Sequence, residues 1–95
     1  MIAGEKRVQL YGADWCDDTR GAITWMNRHN VRFTGHDTTD DEVRARAVEL
    51  AGGRTDIPVV VAPDGTVLVE PTTAELAGAL AGLRQPRRSA GSRCR

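Results

Sequence analysis

Two short valine-rich runs on either side of a tight turn constrain this chain most. Val59-Val60-Val61 and Val67-Leu68-Val69 are separated by Pro63-Asp64-Gly65-Thr66. Aspartate followed by glycine between apolar runs is the chemistry of a turn that reverses the chain, so these runs read as an antiparallel hairpin. Everything before them alternates between two periodicities. Lys6 to Tyr11 reads as a strand with Val8 and Leu10 on one face, and Asp17 to His29 as a helix. In that helix Ala22, Ile23, Trp25 and Met26 recur at helical spacing. Asn30 is a plausible stop. Val31-Arg32-Phe33-Thr34 opens a second strand running to about Asp37. Thr39 and Glu42 have the spacing of a capping box. They would start a helix through Val43, Ala47, Val48 and Leu50, stopped by Gly52-Gly53. The third strand reads as Ile57 to Val61. Thr72 and Glu75 suggest a second capping box, opening a helix with Leu76, Ala79, Leu80 and Leu83.

The resulting order is β-α-β-α-β-β-α. Two strands joined through a helix should pair in parallel with a right-handed crossover, while the last two pair antiparallel. The expectation is an α/β domain over residues 1–84, a four-stranded mixed sheet covered by three helices. Residues 85–95 hold four Arg, two Ser, Pro86 and Gly91 with no usable apolar periodicity, and read as a disordered basic tail.

Ninety-five residues at zero formal charge argue against a nucleic-acid binder driven by phosphate contacts. No apolar run approaches membrane length and no signal-peptide pattern opens the chain. Two cysteines are too few for a disulfide scaffold. The expectation is a monomeric protein of a reducing, cytoplasmic setting.

Chemistry concentrates at Tyr11-Gly12-Ala13-Asp14-Trp15-Cys16-Asp17-Asp18-Thr19. A strand ends in glycine, and a thiol then stands where a helix begins. Partial positive charge at a helix start favours thiolate, the nucleophilic form of cysteine. Asp17 and Asp18 fit first-turn acids, yet like charge opposes a second anion beside them. Thr19 occupies the place of the second thiol in a Cys-x-x-Cys enzyme, so a redox site here is monothiol. The Thr19 hydroxyl either replaces that thiol passively or bonds the Cys16 sulfur. Trp15 reads as a partly exposed ring beside the thiol or as a packing residue. Pro58 is unusual, because proline opening a buried strand lacks a ladder donor. A cis Ile57-Pro58 bond facing Cys16 would explain it and leave the Ile57 backbone for a peptide or small thiol. His29 and His36 have no partner at metal-ligand spacing and read as surface residues, so no metal is expected. Ten residues separate Arg84 from Cys94, enough to span up to roughly 35 Å. Cys94 is therefore open to three readings: incidental, which is favoured; a remote resolving thiol; or a link between two molecules.

Trp15-Cys16-Asp17-Asp18-Thr19, Asp56-Ile57-Pro58-Val59, Pro63-Asp64-Gly65 and Val69-Glu70-Pro71-Thr72, in this order of elements, resemble the glutaredoxins of the thioredoxin superfamily, especially the mycoredoxin type. The resemblance runs from about Val8 to Leu83. It implies a thiol–disulfide oxidoreductase that reduces mixed disulfides between proteins and a small thiol through Cys16. Trp15, Ile57, Pro58, Asp64 and Gly65 would serve as binding residues, and mycothiol or glutathione as co-substrate. Asp17 and Thr19 depart from the family's Cys-Pro-x-Cys, and Cys16-Asp17-Asp18-Thr19 departs from the Cys-Gly-Phe-Ser of its iron–sulfur branch. Ala13 and Asp14 stand where a lysine for glutathione is common. These acids argue against glutathione, an anion, and the resemblance to the mycoredoxins implies mycothiol rather than glutathione. The alternative is a redox-poor thioredoxin-fold binding module or an iron–sulfur cluster carrier.

Overall fold

The computed structural model describes residues 7–81. Seven elements follow in the order β1 (Val8–Gly12), α1 (Asp17–Arg28), β2 (Phe33–Asp37), α2 (Asp41–Leu50), β3 (Val59–Val61), β4 (Val67–Val69) and α3 (Thr73–Ala79). The strands form one mixed sheet in the order β2-β1-β3-β4. β1 pairs with β2 in parallel, from Val8 opposite Phe33 to Gly12 opposite Asp37. β3 runs antiparallel to β1, with Tyr11 opposite Val59, and the β3–β4 hairpin places Val69 opposite Val59. The expected α/β fold of four strands and three helices is the one observed.

Strand alternation divides the side chains. Val8, Leu10, Val60 and Ala62 turn to one face and pack with Ala22, Trp25 and Met26 of α1 and Leu76 and Leu80 of the α3 region. Ile23, assigned to the core, lies at its edge, partly buried. α2 packs against β1 and β2 and buries Ala47 outside that cluster. Removing this apolar surface from water is the main favourable contribution to folding.

Element boundaries differ from expectation in physically informative ways. β1 continues through Gly12, because the parallel pairing with β2 extends to Asp37. Val31 precedes β2. Its N–H donates to the Met26 carbonyl (2.9 Å), and Asn30 takes a left-handed φ of 57°. Together these seal the end of α1. Thr39 is not the cap of α2. Asp40 is, its carboxylate accepting from the Glu42 and Val43 N–H groups at 2.9 and 3.2 Å. Asp37 Oδ1 accepts both the N–H and the hydroxyl of Thr39, at 2.9 and 2.8 Å, which takes the hydroxyl away from capping. The expected box at α3 is complete: Glu75 N–H donates to Thr72 Oγ1 (3.1 Å) and Thr72 N–H to Glu75 Oε1 (2.8 Å). Ile57 and Pro58 precede β3 rather than belong to it. Lys6, Leu83 and the stretch 85–95 with Cys94 lie outside the described residues.

Candidate functional site

The parallel β1–β2 pair and the two antiparallel pairings bring one end of the sheet together. At that end Gly12 leads to Cys16 and α1, Asp37 leads to α2, Asp56-Ile57-Pro58 enters β3, and Glu70 leaves β4. Cross-links tie these segments: Thr38 N–H donates to the Gly12 carbonyl (2.9 Å) and Glu70 N–H to the Pro58 carbonyl (2.8 Å).

Cys16 is the N-cap residue of α1, with extended backbone (φ −91°, ψ 122°). Its N–H donates to the Ala13 carbonyl (3.0 Å) and its carbonyl accepts from Arg20 N–H (3.1 Å). The side chain makes no capping bond and is partly exposed. Cys16 thus stands at the helix end whose first-turn N–H groups are unpaired, and its side chain is not consumed as their cap.

Thr19 sets the loop that carries Cys16. It is 2 % exposed, and its Oγ1 accepts from the Ala13 N–H at 3.4 Å. Its hydroxyl is thus engaged with the loop backbone, and no bond joins it to the Cys16 sulfur among the described residues. Gly12 makes this possible: a Cβ there would stand 2.4 Å from Thr19 Oγ1 and 2.6 Å from its Cγ2. Only glycine lets the strand end approach α1 so closely. The sequence shows a glycine at this point, but nothing in it shows what the glycine faces.

Trp15 is 70 % exposed. With Ile57 it lines a cleft of about 400 Å³, completed by Thr38, Thr39, Arg44 and Thr55. The Ile57–Pro58 bond is cis, as expected, and Pro58 is buried. Neither backbone polar group of Ile57 has a hydrogen-bond partner among the described residues. Trp15, Cys16, Ile57 and Pro58 are therefore gathered at one place.

Asp64 and Gly65 are not brought there. They follow Val61, which pairs with Gln9, and so lie beyond the opposite end of the sheet. Their work is in the turn: Asp64 Oδ1 accepts the Thr66 N–H (2.9 Å) and Gly65 takes φ 97°. That bond, with the Thr66 side chain, holds the Asp64 carboxyl below its ordinary range. Asp37 is held low in the same way by the Thr39 N–H and hydroxyl.

Three arginines at the site end are legible only in part. Arg20 pairs with Asp17 and also donates to the Asp14 carbonyl. Arg44 pairs with Asp41 at 3.0 Å, and Arg54 with Asp56 at 2.9 Å and Glu70 at 4.0 Å. The spacing Asp17-x-x-Arg20 is a helical pair visible in the sequence; the Arg54–Glu70 contact is not. The histidines have other partners, His36 Nε2 meeting Gln9 Oε1 at 2.7 Å and the His29 ring lying tilted against Trp25.

No family model and no curated protein matches the sequence. Among solved structures, the chain is similar to the glutaredoxin grx-1 from Archaeoglobus fulgidus. The match has a TM-score of 0.68 and 20 % identity, and covers 79 % of this chain and 86 % of that chain. The chain has a glutaredoxin-like fold. At that identity the likeness concerns architecture, and the glutaredoxin-like fold positions Cys16 at the start of α1 and Pro58 at the entry to β3. No described helix is long and apolar enough to cross a membrane.

Proposed function

We propose that this chain is a monothiol thiol–disulfide oxidoreductase whose nucleophile is Cys16. The observation that carries the reading is a half-buried thiol at a helix N-cap, uncommitted to any capping bond, next to Trp15 and the cleft that Trp15 shares with Ile57. Cys16 thiolate attacks the small-thiol sulfur of a protein mixed disulfide. That S–S bond breaks, a Cys16–small-thiol disulfide forms, and the protein thiolate leaves and takes a proton. A second small thiol attacks the small-thiol sulfur of the adduct, which restores Cys16 and yields the small-thiol disulfide. The unpaired Ile57 N–H and carbonyl are available to bond the backbone of the bound thiol or peptide. Trp15 supplies an apolar wall.

The cleft favours a small thiol bearing hydroxyl groups over one bearing two carboxylates. Thr38, Thr39 and Thr55 line it with a single cation, Arg44, already paired with Asp41. A sugar-bearing thiol of the mycothiol type would find the Thr55 side chain and the Thr39 hydroxyl oxygen, whose proton is given to Asp37, in its lining. Glutathione, an anion, would meet Asp14, Asp17 and Asp18 beside Cys16, where the nearby Arg20 is already paired with Asp17. The test is reduction of a protein mixed disulfide carrying mycothiol or glutathione, with wild type and Cys16→Ser. Faster turnover with mycothiol, and none with Cys16→Ser, is expected. Undiminished turnover by Cys16→Ser removes the nucleophile assignment, and a preference for glutathione removes the reading of the cleft.

A further inference from the structure

A mixed disulfide has two halves, a small thiol and a protein, and the Trp15–Ile57 cleft accounts for one of them. A second hollow lies beside the Cys16 loop. It holds about 250 Å³ between α1 and the β1–β2 pair and shares no residue with the cleft. Asp14 lines the hollow while its neighbour Trp15 lines the cleft, so the loop that leads to Cys16 divides the two. Leu10 and Ile23 supply apolar walls, and the exposed residues Asp14 and Asp37 stand at the mouth. Among the described residues, no lysine or arginine lines it. Neither carboxylate is fully engaged. Arg20 meets Asp14 at its carbonyl and pairs instead with Asp17. Asp37 accepts from Thr39 at Oδ1, and its Oδ2 has no hydrogen-bond partner among the described residues.

Gly35 keeps this hollow open. It lies in the middle of β2, where glycine weakens a strand and often marks the close approach of another group. The fold itself does not require glycine there. A Cβ at Gly35 would meet no atom within 4 Å, the opposite of Gly12, and its φ is not left-handed. Gly35 pairs with Leu10 and so shares the α1 face of the sheet. The missing side chain leaves the space beside Leu10 and Ile23 unfilled. The His36 ring is engaged on the opposite face, where it stacks on Tyr11, and brings no charge to the hollow.

We propose that this hollow takes a basic side chain from the protein half of the mixed disulfide, with its aliphatic stem against Leu10 and Ile23 and its cation at Asp14 and Asp37. The inference rests on Cys16 being the nucleophile argued above and adds a substrate class: proteins whose modified cysteine has a lysine or arginine close by in sequence. Size favours this occupant. Small-molecule and cofactor sites usually hold roughly 300–1,000 Å³, and a smaller hollow suits one side chain. Charge favours it too, since two carboxylates at the mouth face no lining cation. Basic side chains lay their stems along apolar surface and keep the charged head at its edge. The reach is sufficient. From Asp14 to Cys16 the chain spans at most about 7 Å, close to the rise of two residues of extended peptide. A basic residue two or three positions from the modified cysteine therefore enters the hollow while the small thiol lies in the cleft.

The test mixes reduced full-length protein, in excess, with short peptides whose single cysteine is joined to 2-mercaptoethanol, a neutral small thiol. The residue two or three positions to either side of that cysteine is lysine, norleucine or alanine. Release of peptide thiol is followed through a single turnover. Lysine against norleucine reads the carboxylates, and norleucine against alanine reads the apolar walls. At the best position lysine should be about fivefold faster than norleucine, the scale of one well-placed ion pair. Norleucine should be roughly threefold faster than alanine, a modest share of its apolar burial. Gly35→Val fills the hollow and should bring norleucine down to alanine. The double variant Asp14→Asn/Asp37→Asn should bring lysine down to norleucine. Ratios taken within one protein cancel any change in the thiol itself. Equal rates for the three peptides, or ratios untouched by these variants, overturn the proposal while leaving Cys16 as the nucleophile. Release by Cys16→Ser at the wild-type rate overturns the nucleophile reading instead.

Discussion

At the scale of single residues, the thiol depends on a contact that involves no thiol. Gly12 and Thr19 pack so closely that a Cβ at Gly12 would meet Thr19 Oγ1 at 2.4 Å. Thr19 is β-branched and buried, so its side chain has little freedom to give way. Gly12→Ala should destabilise the protein by about 1–3 kcal/mol, the usual range for overpacking. The cost should shrink in a Thr19→Ala background. Urea unfolding of the four proteins of this cycle measures it, and equal costs in both backgrounds would show that Thr19 is not what the new methyl meets. Beside Cys16, the two first-turn acids are not equivalent. Asp17 is neutralised by Arg20, whereas Asp18 has no ion pair among the described residues. Asp18→Asn should raise the rate of Cys16 alkylation by iodoacetamide at neutral pH about threefold or less, the scale of one exposed charge at a few ångströms. Asp17→Asn should do at least as much, because it removes one anion and frees the Arg20 guanidinium as well. A slower Asp18→Asn protein would show that the acid assists the thiolate instead of opposing it.

At the scale of elements, capping decides where α2 and α3 begin. Asp40 holds two N–H groups of α2, whereas the Thr39 hydroxyl is turned back to Asp37. Asp40→Ala should cost about 1 kcal/mol in stability and Thr39→Ala less, by thermal or urea unfolding; the reverse order would restore Thr39 as the cap. The turns at Asp37 and Asp64 carry a pH dependence with a defined sign. Both carboxyls are held below their ordinary values by bonds to Thr39 and Thr66 respectively. A lowered folded-state pKa stabilises the fold above the unfolded value, about 3.9, and this contribution is lost as pH falls through the folded value. The stability difference between wild type and Asp37→Asn/Asp64→Asn should therefore narrow between pH 6 and pH 2 (about one unit either side of the transition suffices to see it). A difference unchanged across that range would show that the carboxylate charge contributes nothing to these turns.

At the scale of the whole molecule, the described residues already supply a continuous packed core. Its cluster runs from Val8 to Leu80. Residues 1–84 alone should therefore unfold cooperatively, with a stability within about 1 kcal/mol of the full chain under reducing conditions. Calorimetry of the two chains compares them. Loss of a cooperative transition in the shorter one would place part of the core in the residues beyond.

The order of elements was legible in the sequence because it depends on local chemistry. Apolar periodicity separates strand from helix, Asp64-Gly65 turns the hairpin whatever surrounds it, and Thr72 and Glu75 cap α3 within one turn of each other. The position of Cys16 at a helix start and the oddity of Pro58 were equally local. The packing of Thr19 on Gly12, the choice of Asp40 over Thr39 as a cap, and the Arg54–Glu70 contact were not, because each depends on what a third segment brings alongside. Asp64 and Gly65 show the same limit. Local chemistry marked them as a turn and only the family resemblance implied a place at the site, yet strand direction carries them to the far end of the sheet. Nor could the sequence show that the segments after Gly12 and Asp37 come to the same end of the sheet as Pro58 and Glu70. Residues far apart in the chain meet there because β1 and β2 run parallel and β3 returns antiparallel, and sheet register alone decides which strand ends coincide.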